Sequence, residues 1–364
     1  MPTRRSSIVT SAAERGRRTL TRRFPAEWEP HAATWIAWPH HEPDWPGKLE
    51  AVTWAYAEIV RVLAAHEPVE VLCHDERIRE QAKRYLAAHG VRANVRLHLV
   101  PTDRVWLRDS GPTTILRQDG HVELVNWGFN AWAKYDNYAQ DQKVGAAIER
   151  ITKLPRMEPQ RPDGGGRLIL EGGAFDTDGR RTLLVTEECL LSKEQERNPG
   201  LDRDGYERAF MEWLGIRKTI WLGQGCVGDD THGHVDDVAR FAAPEAIVLA
   251  YEEDPADENH RRSKDNLKRL ELAGGKAGDF TVLKLPYPRP VTMKGERLPA
   301  SYANFYVAND VVLMPTFNDP NDRVALNTLS AVFEGRQVVG IHAVDLVWGL
   351  GTLHCLTQQQ ARGA

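Results

Sequence analysis

The chain has 364 residues, 41% hydrophobic and 27% charged, with a formal net charge of −4, which suits a slightly acidic globular protein with one large core or two ordinary domains. No long basic face is visible outside the N-terminal residues, which argues against nucleic acid as a partner, and no apolar run approaches the ~18 residues that would span a membrane. The four cysteines, Cys73, Cys189, Cys226 and Cys355, form no Cys-x-x-Cys, which argues against a structural zinc site or a disulfide framework and for reduced thiols.

Residues 1–23 read as a basic, disordered tail, since Arg4, Arg5, Arg15, Arg17, Arg18, Arg22 and Arg23 face a single acid, Glu14. The segment 8–13 is too short and too polar for the ~7–15-residue apolar stretch of a secretory signal, so a cytoplasmic protein is expected. Ordered chain is expected from Phe24 onward. Helical periodicity covers 48–65 and 77–89, the latter stopped by Gly90, and short apolar runs at 69–73 and 95–100 read as strands. A polar loop, 101–111, precedes strands 113–116 and 121–127, which flank the turn Asp119-Gly120. Further strands are expected at 168–170, 182–186, 219–222, 246–250, 281–285, 311–314 and 337–341. Helices are expected at 144–151, 206–214, 257–272 and 322–333. The Pro- and Gly-rich stretch 156–166 reads as a surface loop, not a linker. The alternation makes the chain an α/β or α+β protein without a clean domain boundary.

Small polar turns recur along this pattern: Asp109-Ser-Gly111, Glu171-Gly-Gly173, His232-Gly-His234 and Tyr302-Ala-Asn304, with Cys355 beyond the last. They are spaced by roughly 50 to 70 residues, and strand, helix and strand patterns follow most of them. Five similar units around one axis would gather these turns at a common centre. Spacing alone leaves coincidence open, because polar turns are common.

Several turns carry reactive side chains. In Gly349-Leu-Gly-Thr-Leu-His-Cys355 the glycines let a ligand approach the backbone closely, but a cysteine is a nucleophile only as its thiolate. Buried structural cysteines are commoner, and Cys73, Cys189 and Cys226 are read that way. In Gly228-Asp-Asp-Thr-His-Gly-His-Val-Asp-Asp237, His234 and Asp236 would share a face if 235–241 were a strand. Asp230 and His232 stand on the preceding turn. The same cluster could hold zinc or manganese, although the His-x-x-x-His spacing of catalytic zinc sites is absent. Asp109 follows Trp106 in Trp106-Leu-Arg-Asp-Ser-Gly-Pro112. Trp106 suits either the wall of a pocket for a planar cation or core packing. Glu171 ends an apolar run, where a carboxylate needs a partner or exposure.

One thiol, an imidazole and several carboxylates suit guanidinium chemistry. A guanidinium is planar, always charged and matched by carboxylates in bidentate fashion, and each carboxylate at ~4 Å contributes on the order of 4 kcal/mol of gross attraction at an effective dielectric of ~20. The bound cation would in turn stabilise a neighbouring thiolate.

These motifs closely resemble the agmatine deiminase family of the guanidino-group-modifying superfamily, from Phe24 to Gln360. Phe24-Pro-Ala-Glu-Trp-Glu-Pro-His31 and Trp35-Ile-Ala-Trp-Pro39 look like the family's opening. The motifs around Asp109, Glu171 and His234, then Ser301-Tyr-Ala-Asn-Phe-Tyr306 and His354-Cys-Leu-Thr-Gln-Gln359, match in order. The resemblance implies a five-bladed pseudosymmetric α/β propeller (a pentein) of ββαβ-type units, with 24–364 as one catalytic domain. It implies Cys355 as nucleophile, His234 as general acid/base, Asp109 and Asp236 as the carboxylates on the guanidinium, and Glu171 as support for the histidine and substrate. Trp106, Asp230 and His232 fall near the substrate, Asp230 as the partner of its far amine. Agmatine would be hydrolysed to N-carbamoylputrescine and ammonia, in polyamine metabolism, with no metal or other cofactor. A homo-oligomer remains open. His232 stands where the pattern often has Asp or Asn, and the approach to Cys355 lacks the usual Gly-Gly-Gly-Asn run. Both departures lie where the substrate tail should sit, which keeps peptidylarginine and free arginine as alternative substrates. An amidinotransferase would share the covalent intermediate, whereas a non-enzymatic pentein binding protein should lack the Cys, His or carboxylates.

Overall fold

A computed structural model describes residues 22–274 and 278–364. The expected tail therefore falls outside the described residues except for Arg22 and Arg23. These two form a short strand antiparallel to Thr113–Arg117, so regular structure reaches two residues further toward the N-terminus than Phe24.

Five of the six sheets among the described residues share one internal plan: an antiparallel pair followed by a parallel neighbour. Thr113–Arg117 pairs with Val122–Val125, which runs parallel to Arg156–Met157. Phe175–Thr177, Thr182–Thr186 and Lys218–Leu222 repeat this, as do Ala239–Ala243, Ala246–Tyr251 and Thr281–Pro286. Tyr306–Val307, Val311–Thr316 and Gln337–His342 make the fourth. The fifth joins the two ends of the chain: Thr357–Ala361 pairs antiparallel with His31–Ala37, which runs parallel to Val69–Cys73, itself parallel to Val95–Leu99. In each sheet a helix lies between the last antiparallel strand and its parallel neighbour, as a parallel connection requires.

Local chemistry explains these elements. Val69–Cys73 is buried at all five positions, as a strand covered on both faces should be. Glu76–Ala88 buries Ile78, Ala82 and Leu86 on one face, and Asp75 caps it by accepting the Ile78 N–H at 2.7 Å. Arg203–Leu214 starts at the Asp202 cap and ends at Gly215, whose φ of 73° places it in the left-handed region. The other long helices, Leu49–Ala64, Val144–Thr152, Glu258–Ala273 and Asn321–Val332, lie within one or two residues of expectation.

Four expectations change. Residues 168–170 are not a strand. Leu168 and Leu170 donate to loop carbonyls of Pro159 and Gly128, leaving a single bridge at Ile169. The loop reading of 156–166 loses its first two residues to the edge strand Arg156–Met157. Within 101–111, Leu107–Ser110 is a helical turn, with the N–H groups of Asp109 and Ser110 both donating to the Trp106 carbonyl. Finally, 235–241 is not one strand. Val235–Asp237 is a 3-10 turn, closed by the Val238 N–H on the Val235 carbonyl, and the strand starts only at Ala239.

Candidate active site

A short turn precedes the first strand of each of the five sheets, and these turns carry the reactive residues. Asp109 stands on Leu107–Ser110, and Glu171 precedes the turn Gly172–Ala174. His234 and Asp236 stand at Val235–Asp237, and Cys355 lies on Leu353–Leu356. The fourth turn supplies Asn304, just ahead of Tyr306–Val307. All six side chains are buried.

Asn304 organises the cysteine. Its Nδ2 donates to Cys355 Sγ at 3.2 Å. Its Oδ1 accepts from Thr352 Oγ1 at 2.8 Å and from the His354 N–H at 3.0 Å. On another side Cys355 Sγ lies 3.7 Å from Asp236 Oδ2, which also meets His354 Nδ1 at 2.7 Å. Asp109 is oriented by the Gly173 N–H on Oδ1 at 3.0 Å and by Trp132 Nε1 on Oδ2 at 2.9 Å. His234 sits between acids, with Nδ1 3.9 Å from Asp109 Oδ1 and Nε2 3.6 Å from Glu171 Oε2. Glu171 is held from behind by Arg197 Nε at 3.2 Å. The groups converge on Gly173, where a Cβ would lie 2.5 Å from His234 Nδ1, 3.0 Å from Asp109 Oδ1 and 3.1 Å from Asp236 Oδ2. Only glycine leaves that space open.

The electrostatics follow from dense acid in a dry site. Burial pushes the Asp109 carboxyl up to about 6, with Asp236 and Glu171 adding to the shift against the pull of His234. Burial and the charges of Asp236, Asp237 and Asp109 push the Cys355 thiol well up, so it is neutral at pH 7. Burial opposes charge on His234, but Asp109, Cys189 and Glu171 outweigh it and raise this imidazole well above its usual range. Burial likewise works to raise Glu171, yet Arg197 and His234 hold it below the ordinary carboxylate range. Both ring nitrogens of His234, Asp236 Oδ1 and Glu171 Oε2 are buried with no hydrogen-bond partner among the described residues. Unpaired buried polar atoms call for a physical explanation, and a bound polar group would supply one here.

A cavity of about 360 Å³ opens at Cys355 and Asp109, with Trp106, Trp132, Asp44, Arg104, Tyr135 and Asp230 in its wall. Trp106 is stacked obliquely on Trp45, 5.5 Å between centroids, and Gly351 leaves it room beside Cys355 Sγ. Thus Cys355, Asp109, Trp106 and Asp230 line the cavity, and the buried Asp236 and His234 adjoin it through Cys355 and Asp109, with Glu171 beside His234. His232 is not in the wall. Its φ of 64° and the following Gly233 turn its ring away, where Nε2 lies 3.0 Å from Ser192 Oγ. The metal alternative changes with it, because the residues whose ligand atoms cluster within 4.8 Å are Glu171, Cys189 and His234, and Arg197 already balances Glu171 there.

Asn304, Trp132, His354 and Arg197 are partners of the reactive groups that were not recognised from sequence as site residues. Asn304 lies in a motif visible in the sequence, which gave a signal without a role. Trp132 gave none. It reaches Asp109 only because Ala131, Trp132 and Ala133 have φ of 49°, 59° and 53°, a run of left-handed non-glycine residues. Such backbone costs of order 1–3 kcal/mol per residue and gathers where function needs it.

The turns of this α/β fold thus present a thiol, an imidazole and carboxylates together, as an α/β enzyme's site would. The chain belongs to the Porphyromonas-type peptidyl-arginine deiminase family, whose sequence model matches residues 23–361. It is 34% identical over 359 residues to an agmatine deiminase of Pseudomonas aeruginosa, covering 93% of this chain and 95% of that one. Among solved structures, agmatine deiminase of Enterococcus faecalis superposes with a TM-score of 0.86 at 29% identity, covering 98% and 99% of the two chains. The Campylobacter jejuni agmatine deiminase does so with a TM-score of 0.82 at 27% identity, covering 94% and 97%.

Proposed function

We propose that the chain is an agmatine deiminase, hydrolysing agmatine to N-carbamoylputrescine and ammonia. The observation that carries this reading is the crowd of buried acids at the thiol: Asp109, Asp236 and Asp237 all raise the Cys355 pKa, and a planar cation bound among them would reverse that effect. In this mechanism Asp109 and Asp236 orient the guanidinium in bidentate fashion. Its charge lowers the thiol pKa, the thiol proton passes to solvent, and the Cys355 thiolate attacks the central carbon to give a tetrahedral adduct. His234, as imidazolium, protonates the departing nitrogen, ammonia leaves and an S-alkylthiouronium remains. His234 then takes a proton from water, which attacks the same carbon, and the thiolate departs from the ureido product. Glu171, balanced by Arg197, steadies the imidazolium. Trp106 flanks the cation, and Asp230 receives the far amine. No cofactor enters this scheme.

The repeated sheet plan supports reading residues 24–364 as one catalytic domain in the form of a five-bladed pseudosymmetric propeller. Four free cysteines support a cytoplasmic setting. The second reading, a peptidylarginine or free-arginine deiminase, draws on Arg104, a cavity-wall cation that could meet a carboxylate. Ammonia and ureido product measured side by side from agmatine, arginine and a blocked arginyl peptide separate the two. Agmatine should be the best substrate, and if it is the poorest the first reading fails.

A further inference from the structure

Beyond Asp109 the cavity wall holds two more carboxylates, Asp44 and Asp230, and each already has a cation from the chain itself. Arg104 Nη1 donates to Asp44 Oδ1 at 2.6 Å, and the guanidinium lies over the Tyr135 ring, 4.1 Å from its centroid. Lys134 Nζ pairs with Asp230 Oδ1, and the Tyr135 hydroxyl donates to Asp230 Oδ2 at 2.6 Å. Both oxygens of Asp230 are thus engaged.

The two cations differ in how firmly they are held. The Arg104 side chain is 12% exposed and packed on Tyr135. The Lys134 side chain is 40% exposed against 15% for Asp230, and Asp230 is its only acidic partner among the described residues. Asp230 belongs to the cavity wall, whereas Lys134 does not. A long lysine in an exposed pair is bound weakly and exchanges readily.

We propose that Lys134 is a specificity-determining residue, an internal competitor for Asp230 that a substrate's tail ammonium displaces and that a tail carboxylate meets as a partner. The proposal rests on Asp230 as the carboxylate that receives the tail cation. An agmatine-like tail, with one ammonium, works against Lys134. An amino-acid tail carries a carboxylate that pairs with the released ammonium. Lys134 thereby sets the discrimination between decarboxylated and carboxylated guanidino compounds, without touching the reacting carbon.

The test uses binding, so it does not depend on turnover. Dissociation constants for agmatine and arginine are measured by calorimetry on Cys355→Ala, with and without Lys134→Met. Lys134→Met should bind agmatine about threefold to fivefold more tightly and arginine more weakly. Lys134→Arg, which keeps the competitor, should restore the original ratio. An unchanged or weaker agmatine affinity in Lys134→Met overturns the proposal. So does an Asp230→Asn variant that binds agmatine as tightly as its parent. The substrate assay on the intact enzyme is read separately. If it releases no ammonia from agmatine while the affinities shift as described, the deiminase reading falls and the competitor role stands. If it deaminates agmatine and the affinities do not shift, the reverse holds.

Discussion

Burial acts in the same sense on two of the residues that would meet the substrate, favouring the neutral form of each. It holds Cys355 in the unreactive thiol form and it lifts Asp109 to about 6, so a bound cation corrects both. Because the folded pKa of Asp109 is raised, the group is charged above pH 6 and neutral below. The kcat/KM profile should therefore show an acid limb with an apparent pKa near 6, since this ratio reports the free enzyme. Asp109→Asn should lower kcat/KM and remove that limb, and a limb that survives in the variant would assign it to another group. Cys355→Ser should reduce ammonia release by roughly 10⁴-fold or more, measured by steady-state assay, with thermal stability unchanged. At this scale the polar turns carrying Cys355, Asp109, Glu171, His234 and Asp236 were visible in the sequence, while the roles proposed for those residues came only from the resemblance to the agmatine deiminase family. His232 misled, since a neighbouring glycine lets adjacent side chains diverge by far more than their spacing implies. Trp132 was invisible because its position depends on left-handed backbone that no local residue signals.

The helices and strands were legible to within a few residues where apolar spacing is regular, and the turns between them were not. A turn as short as Leu107–Ser110 has no periodicity to read. Its form is set by contacts such as Gly172, where a Cβ would come within 2.2 Å of the Arg108 carbonyl. This division of labour predicts separable effects. Asp75→Ala removes the cap of Glu76–Ala88, far in sequence from any reactive turn, and should cost about 1 kcal/mol in urea unfolding with kcat unchanged. Gly173→Ala should do the converse. Its methyl group would push on His234, Asp109 and Asp236 together, and a misplacement on the order of 1 Å is enough to lower kcat about 100-fold. A Gly173→Ala enzyme with native kcat would show that the convergence of these side chains has no catalytic meaning.

Across the molecule, Glu27 ties the sheets together from the N-terminal side. Its Oε2 lies 2.8 Å from His354 Nε2, 2.9 Å from Arg240 Nη2 and 3.3 Å from Arg108 Nη2, and the Val307 N–H donates to its Oε1 at 2.7 Å. Burial alone would raise this carboxyl, but Arg240, His354 and Arg108 hold it well below its usual range. A depressed folded pKa means that the contribution is full above the unfolded value of about 4.5 and is lost as pH falls below it. Glu27→Ala strands Arg240 without this partner and should destabilise the fold by about 3–5 kcal/mol, read as a lowered Tm at pH 7 and a smaller loss between pH 7 and pH 3. The recurrence of the five turns was visible in the sequence as spacing, whereas the sheet that joins Thr357–Ala361 to His31–Ala37 was not, because that pairing spans nearly the whole chain. That closure has a consequence for folding. Thr357–Ala361 must find His31–Ala37 across a very long stretch of intervening chain. Contacts of such long sequence separation form slowly, so this sheet should be the last to assemble, and the cavity at Cys355, just ahead of its closing strand, should take shape only then.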